Sequence, residues 1–136
     1  TKKTIDYLKT KWQNDFSDAL IWADGSGVSR YNLLTPTVIV EALQKTYSIL
    51  GWEKITSLFP AGGISGTILN HYKEASGPYV FAKTGTLKNN ISLSGFFIGK
   101  NNRIYVFSIL VNNHTSSSEA VREGIASLIR FFRKKY

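Results

Sequence analysis

Lys83, Thr84, Gly85 and Thr86 place a fixed positive charge, two hydroxyls and a residue without a side chain in four consecutive positions. On an extended strand alternate side chains share a face, so Lys83 and Gly85 are expected to point one way and Thr84 and Thr86 the other. A lysine beside a glycine lets a ligand backbone lie close to the strand while the amine holds an anion. On these four residues alone, an ordinary strand end running into a polar turn is the simpler reading.

The elements that would position these residues are legible around them. Tyr79-Val80-Phe81-Ala82 is aromatic and branched without a polar interruption, so Tyr79 to Thr86 reads as a strand with a buried first half. Lys88-Asn89-Asn90 is a turn, and Ile91 to Gly99 and Arg103 to Val111 are two further strands joined at Lys100-Asn101-Asn102. The three form an antiparallel meander. The third carries apolar residues on both faces, with Ile104, Val106 and Leu110 on one and Tyr105, Phe107, Ile109 and Val111 on the other, so both faces should be covered.

Helices flank this meander in sequence. Ile5, Leu8 and Trp12 recur at helical spacing, predicting an amphipathic helix over Thr4 to Phe16. Leu20 to Ala23 is a short apolar run that fits a strand. Thr35-Pro36 opens a second helix with threonine as N-cap, an apolar stripe of Ile39, Ala42, Leu43, Tyr47 and Leu50, and Gly51 as its stop. A short helix is expected near Ile68 to Tyr72. Ser116 with Glu119 suggests a capping box for a final helix with a stripe of Val121, Ile125, Leu128, Ile129 and Phe132. Two glycine-rich stretches, Asp24 to Asn32 and Phe59 to Thr67, lack apolar periodicity and read as loops.

The fold class is therefore α/β in the broad sense, more narrowly α+β: an antiparallel sheet flanked by helices. With 43% hydrophobic and 19% charged residues, the 136-residue chain can build one substantial core and is not of the disordered class. No apolar run is long enough to span a bilayer. The absence of cysteine excludes disulfide and thiolate chemistry within the chain. His71 and His114 stand alone, without partners at ligand spacing, so neither a metal site nor a cofactor is expected. The net charge of +8 is concentrated near the two ends, in Lys2, Lys3, Lys9 and Lys11 and in Arg130, Arg133, Lys134 and Lys135, where solvated faces are expected. There is no methionine, and the chain is expected to be a processed form or a piece of a longer protein.

The two loops and the strand end, taken in series, resemble the penicillin-binding serine D-alanyl-D-alanine carboxypeptidases, in particular their low-molecular-mass class C branch. Asp24-Gly25-Ser26-Gly27-Val28-Ser29-Arg30-Tyr31-Asn32 resembles that branch's Asp-Gly-Ser-Gly-Leu-Ser-Arg-x-Asn segment. Phe59-Pro60-Ala61-Gly62-Gly63-Ile64-Ser65-Gly66-Thr67 is similar to its Pro-x-Ala-Gly loop with a following Gly-Thr, and Lys83-Thr84-Gly85 matches its third motif, Lys-Thr-Gly. The likeness runs over nearly the whole chain. It departs from the family at two points. Ser29 and Asn32 are one residue too far apart for the second motif, Ser-x-Asn, and no serine has a lysine three positions on, as the nucleophile motif Ser-x-x-Lys requires. The resemblance thus implies that residues 1–136 are the C-terminal portion of a penicillin-binding transpeptidase-like domain, without the nucleophile region.

What the resemblance implies is acyl transfer. A serine attacks the peptide carbonyl between two terminal D-alanines of a peptidoglycan stem peptide, and water hydrolyses the acyl-enzyme. Lys83 would be the catalytic residue of this chain, keeping the proton relay polarised and attracting the terminal carboxylate. Thr84 and Thr86 would hydrogen-bond that carboxylate, with Gly85 between them, and the Thr86 N–H would supply half of the oxyanion hole. Ser29 and Asn32 would border the cleft and orient backbone or substrate, or serve turn chemistry alone. β-Lactams would acylate the same nucleophile, and the location implied is extracytoplasmic, the periplasm or cell envelope. A β-lactamase-related hydrolase or esterase is the near alternative. A basic module for nucleic acid or anionic wall polymer is a distant one, disfavoured because the aromatics lie in strands with buried faces; nucleic acid is not an expected partner. The isolated chain should self-associate, or pair with the N-terminal part, through the edge of Arg103 to Val111, with Tyr105, Phe107 and Ile109 the candidates for an uncovered face. The other expectation is that the N-terminal helix folds over this gap.

Overall fold

A computed structural model describes residues 2–12 and 15–136. Its elements are α1 (Lys2–Trp12), α2 (Pro36–Leu58), a one-turn 3-10 helix (Gly66–Ile68), β1 (Val80–Leu87), β2 (Asn90–Ile98), β3 (Ile104–Asn112) and α3 (Ser118–Lys135). The three strands form an antiparallel meander in the order β1-β2-β3, with Lys83 opposite Ser94 and Gly85 opposite Ser92. This is the sheet expected from the alternation of apolar runs and polar turns.

The sheet is covered on both faces. Beneath α3 lie Val80 and Ala82 of β1, Ile91, Leu93 and Phe97 of β2, and the helix residues Ile125, Ala126 and Ile129. Beneath α2, Phe96 is fully buried with Leu43 and Ile55, and Ile104 and Val106 pack around them. Trp52 meets the edges of Phe81 and Phe96 at centroid distances of 5.2 and 6.0 Å. Close packing of β1 on β2 depends on Gly95: a Cβ there would lie 2.3 Å from the Phe81 carbonyl oxygen.

Several expectations are corrected. Gly51 does not end α2; its φ of 74° kinks the helix, and helical turns resume to Leu58. Glycine takes that left-handed backbone freely, and Ile55 in the resumed turns is then buried against Phe96. The first helix ends at Trp12 rather than Phe16; of the expected extension, residues 13–14 lie outside the described residues, and Asp15 and Phe16 are not α-helical. The stretch Leu20 to Ala23 forms a single bridge, Ile21 to Leu33, instead of a strand. The helix expected near Ile68 to Tyr72 is only the 3-10 turn, and Tyr72 has a φ of 60°. The cap of α3 is Ser117, whose Oγ accepts from the Ala120 N–H, so Glu119 stands one position too early for a capping box. Four consecutive hydroxyl residues, Thr115 to Ser118, leave the register open in the sequence.

Two further differences concern charge and coverage. Arg133, expected on a solvated face, is 9% exposed. Its guanidinium lies 4.1 Å from the Tyr79 ring centroid and bridges to Glu74 at 2.5 Å. Tyr105, Phe107 and Ile109 are half-buried beneath α3, with Tyr105 stacked between Phe97 and Tyr136. Leu128, expected in the buried stripe, is 43% exposed. The helix α1 does not cover β3. It faces α2 across an apolar groove that Leu8 and Trp12 share with Val38, Ala42 and Leu43. Among the described residues, no strand pairs with the outer edge of β3.

Candidate active site

The outer edge of β1 is half closed and half open. Pro60 O accepts from the Ala82 N–H at 3.0 Å and the Gly62 N–H donates to Val80 O at 2.8 Å, so the 59–67 loop acts as a short partner strand as far as Ala82. Backbone groups alternate sides along a strand. With the Ala82 N–H directed outward, the N–H groups of Thr84 and Thr86 face the same side, beyond the reach of residues 60–62. A peptide could pair with that remaining edge.

Lys83 stands where the loop stops. Its amine donates to Thr84 O at 2.8 Å, which folds the charge over the open edge. The side chain is exposed and, among the described residues, has no acidic partner. Thr84 and Thr86 point to the opposite face, towards α3. The Thr84 hydroxyl meets the Thr67 hydroxyl at 2.7 Å, and Thr86 Oγ1 accepts from Arg122 Nη2 at 3.3 Å.

The Asp24 to Asn32 loop is braced from inside. Asn32 Oδ1 accepts from the N–H groups of Ala23 at 2.7 Å and Asp24 at 3.1 Å, and its Nδ2 donates to Asp24 O at 3.2 Å. Asn32 therefore orients backbone. The Asp24 carboxylate accepts from the Ser26 hydroxyl at 2.6 Å and the Ser26 N–H at 2.7 Å, and these bonds hold its pKa below the usual aspartate value. Ser29 Oγ accepts from the Tyr31 N–H at 3.2 Å, an ordinary turn contact. Arg30 donates to Lys88 O at 3.3 Å and so ties the loop to the β1–β2 turn.

That tie creates a cleft of about 510 Å3 in which Gly27, Ser29, Arg30 and Asn32 of the loop face Gly85, Thr86 and Leu87 of β1. Ser29, Asn32, Gly85 and Thr86, far apart in sequence, are thereby brought together. Lys83 is on the same strand face as Gly85 but does not line this cleft; it sits at the open edge just beyond. The sequence reading did not single out Arg30 or Arg122. Arg30 had a signal, since it lies inside the quoted loop segment. Arg122 had none, being one cation among several on a helix. Among the described residues no group of histidine, aspartate and glutamate could hold a metal ion.

The D-alanyl-D-alanine carboxypeptidase DacB of Haemophilus influenzae is 31% identical over 119 residues, covering 85% of this chain and 25% of that protein. The crystal structure of penicillin binding protein 4 from the same organism, complexed with a β-lactam, matches with a TM-score of 0.69 at 28% identity, over 83% of this chain and 26% of that one. A predatory peptidoglycan endopeptidase of Bdellovibrio bacteriovorus shares the fold, with a TM-score of 0.71 at 21% identity over 98% of this chain and 37% of that one. The chain spans about a quarter of the length of the curated relatives it matches. The D-Ala-D-Ala carboxypeptidase 3 (S13) family matches residues 15–135, and the chain belongs to that family.

Proposed function

We propose that this chain is part of a serine D-alanyl-D-alanine carboxypeptidase or endopeptidase that cleaves peptidoglycan stem peptides through an acyl-enzyme. The reading is carried by one observation: the ladder of β1 is closed by residues 60–62 up to Ala82 and open from Lys83 onward, with the Lys83 amine at that edge. A peptide ending in D-Ala-D-Ala would lie along the open edge with its carboxylate near Lys83, Thr84 and Thr86.

No serine of the chain has a lysine three positions on, so the nucleophile belongs to protein outside these 136 residues, which make up the C-terminal portion of the catalytic domain. Its Oγ attacks the carbonyl carbon of the penultimate D-alanine. The amide C–N bond breaks, terminal D-alanine leaves as the amine with a transferred proton, and water hydrolyses the ester to regenerate the serine. The outward N–H of Thr86 can donate to the oxyanion, and Lys83 supplies positive charge to the site without a competing acid. β-Lactams acylate the same serine, and the substrate places the enzyme outside the cytoplasm. The chain in isolation uses the open edge of β3 to pair with itself or with the missing N-terminal part.

The test is labelling of the full-length protein with a fluorescent penicillin, together with release of D-alanine from a D-Ala-D-Ala peptide. Both are expected. The 136-residue chain alone should gain no mass on incubation with a β-lactam. One acyl group on any of its own serines would show the nucleophile to be misplaced.

A further inference from the structure

The hydroxyls of Thr84 and Thr86 are held from behind the strand, on the face opposite Lys83. A small cavity of about 30 Å3 between β1, the 59–67 loop and α3 is lined in part by Thr67, His71, Tyr72, Thr84, Thr86 and Arg122. Arg122, half-buried in α3, reaches across it to Thr86. Among the described residues no carboxylate pairs with Arg122; the adjacent Glu123 pairs with Arg130 instead. An uncompensated guanidinium on a hydroxyl is an arrangement that the fold does not need for its core.

A guanidinium can only donate, so Thr86 Oγ1 accepts along this bond and keeps its own hydrogen for another partner. Donation from a cation also polarises that hydroxyl and strengthens it as a donor. We propose that Arg122 is a positioning residue: through Thr86 it turns a hydroxyl donor towards a carboxylate at the open edge of β1 and places a second positive charge behind that anion. The carboxylate then lies between Lys83, acting from one strand face, and Arg122, acting through Thr86 from the other. Such a site selects a peptide with a free C-terminal carboxylate over one whose end is neutral. This inference rests on the peptidase reading above and adds to it a residue that sets specificity for the anionic end.

The experiment compares two peptides with the full-length enzyme, one ending in free D-Ala-D-Ala and the other carrying the same sequence as its C-terminal amide. Arg122→Ala should lower kcat/KM for the free acid by roughly tenfold to a hundredfold, the range for one charge-assisted hydrogen bond. It should leave the amide within about twofold, as expected where no charged partner is lost. Arg122→Lys should recover part of the loss. Adding Arg122→Ala to Thr86→Val should cost less than Arg122→Ala costs in the wild type, because the part relayed by the Thr86 hydroxyl is already gone. Equal losses on both peptides would make Arg122 merely structural and overturn the proposal, as would no loss on either. If Arg122→Ala does not fold, Arg122→Gln carries the same comparison, since it keeps a donor and removes the charge. A wild-type protein that cleaves neither peptide would overturn the peptidase reading itself. A wild type that cleaves the acid, with variants that do so equally well, would overturn only the role of Arg122.

Discussion

The hydroxyls of Thr67 and Thr84 meet at 2.7 Å although 17 residues separate them in sequence. The contact falls just past the last backbone bond between their segments, Ala82 N–H to Pro60 O at 3.0 Å. The 59–67 loop is thus laced to β1 by backbone as far as Ala82 and by a hydroxyl pair at Thr84. Beyond that point the strand is free for a ligand. Replacing Thr67 by Val removes this clasp while keeping the shape. Its cost in stability should be only about 1 kcal/mol, the net worth of one exposed hydrogen bond. The expected outcome in the full-length enzyme is a melting temperature lowered by a few degrees and a larger proportional fall in penicillin acylation rate, measured by stopped-time labelling. Unchanged acylation would mean that Thr84 needs no clasp.

Lys83 is exposed and spends its amine on Thr84 O, so the fold does not depend on it. Lys83→Ala should leave thermal stability nearly intact. It should reduce the acylation rate of the full-length protein by about a hundredfold or more, the scale for a group that assists proton transfer. A variant that labels as fast as wild type would remove Lys83 from the mechanism.

Asn32 behaves differently, because all three of its side-chain hydrogen bonds are to backbone groups at the base of the loop. Asn32→Ala strands two N–H donors at the base of the loop, while the Asp24 carbonyl keeps its bond from the Trp22 indole N–H at 2.7 Å. A loss of about 0.5–1.5 kcal/mol is expected, the net worth of a hydrogen bond where water can reach the freed donors. Urea unfolding measures it. Hydrogen exchange should show faster exchange at Ala23 and Asp24, and a variant with unaltered exchange there would contradict the bracing role.

The Asp24 loop should also open in acid. Hydrogen bonds from the Ser26 hydroxyl and N–H hold the folded-state pKa of Asp24 below its unfolded value. The stabilisation is therefore complete above the ordinary aspartate range of about 4 and disappears as pH falls through the lower folded value. Glu74 shifts in the same direction, chiefly through its hydrogen bond with Lys100, so part of the acid limb belongs to the far end of the sheet. Asp24→Asn should remove only the loop's share. Chemical shifts of Gly25 to Ser29 followed through an acid titration separate the two, and a loop unchanged to below pH 3 would contradict the assignment.

The isolated chain presents the outer edge of β3, which is paired with no strand among the described residues. The segment has no proline or charge to discourage pairing. Sedimentation at micromolar concentration should show dimers or larger species. A clean monomer whose Ile104 to Asn112 amides are well protected from exchange would rule out edge pairing. Burial of Tyr105 and Phe107 beneath α3 narrows the contact to the backbone edge, since those rings are already partly covered.

The sequence by itself determined the elements whose pattern is local. The meander follows from apolar runs broken by Lys88-Asn89 and Lys100-Asn101-Asn102, and alternation along an extended chain assigns Lys83 and Thr84 to opposite faces whatever packs against them. The three motif segments were readable in order, and with them the family. Only the tertiary structure decided matters that depend on what lies across a gap. Gly51 looked like a stop because glycine weakens a helix, yet burial of Ile55 against Phe96 makes it worthwhile for the helix to resume. Arg133 looked solvated among basic neighbours, and became buried because Tyr79 and Glu74 meet it from another element. For Asn32 the sequence left backbone, substrate and turn chemistry all open; the loop's curvature brings its amide to Ala23 and Asp24. Arg122 had no signal at all, because nothing in spacing along the chain reports that a helix surface 36 residues away will face the Thr86 hydroxyl. Local sequence fixes which way a side chain leaves its own backbone; the partner it meets there is set by the packing of the whole chain.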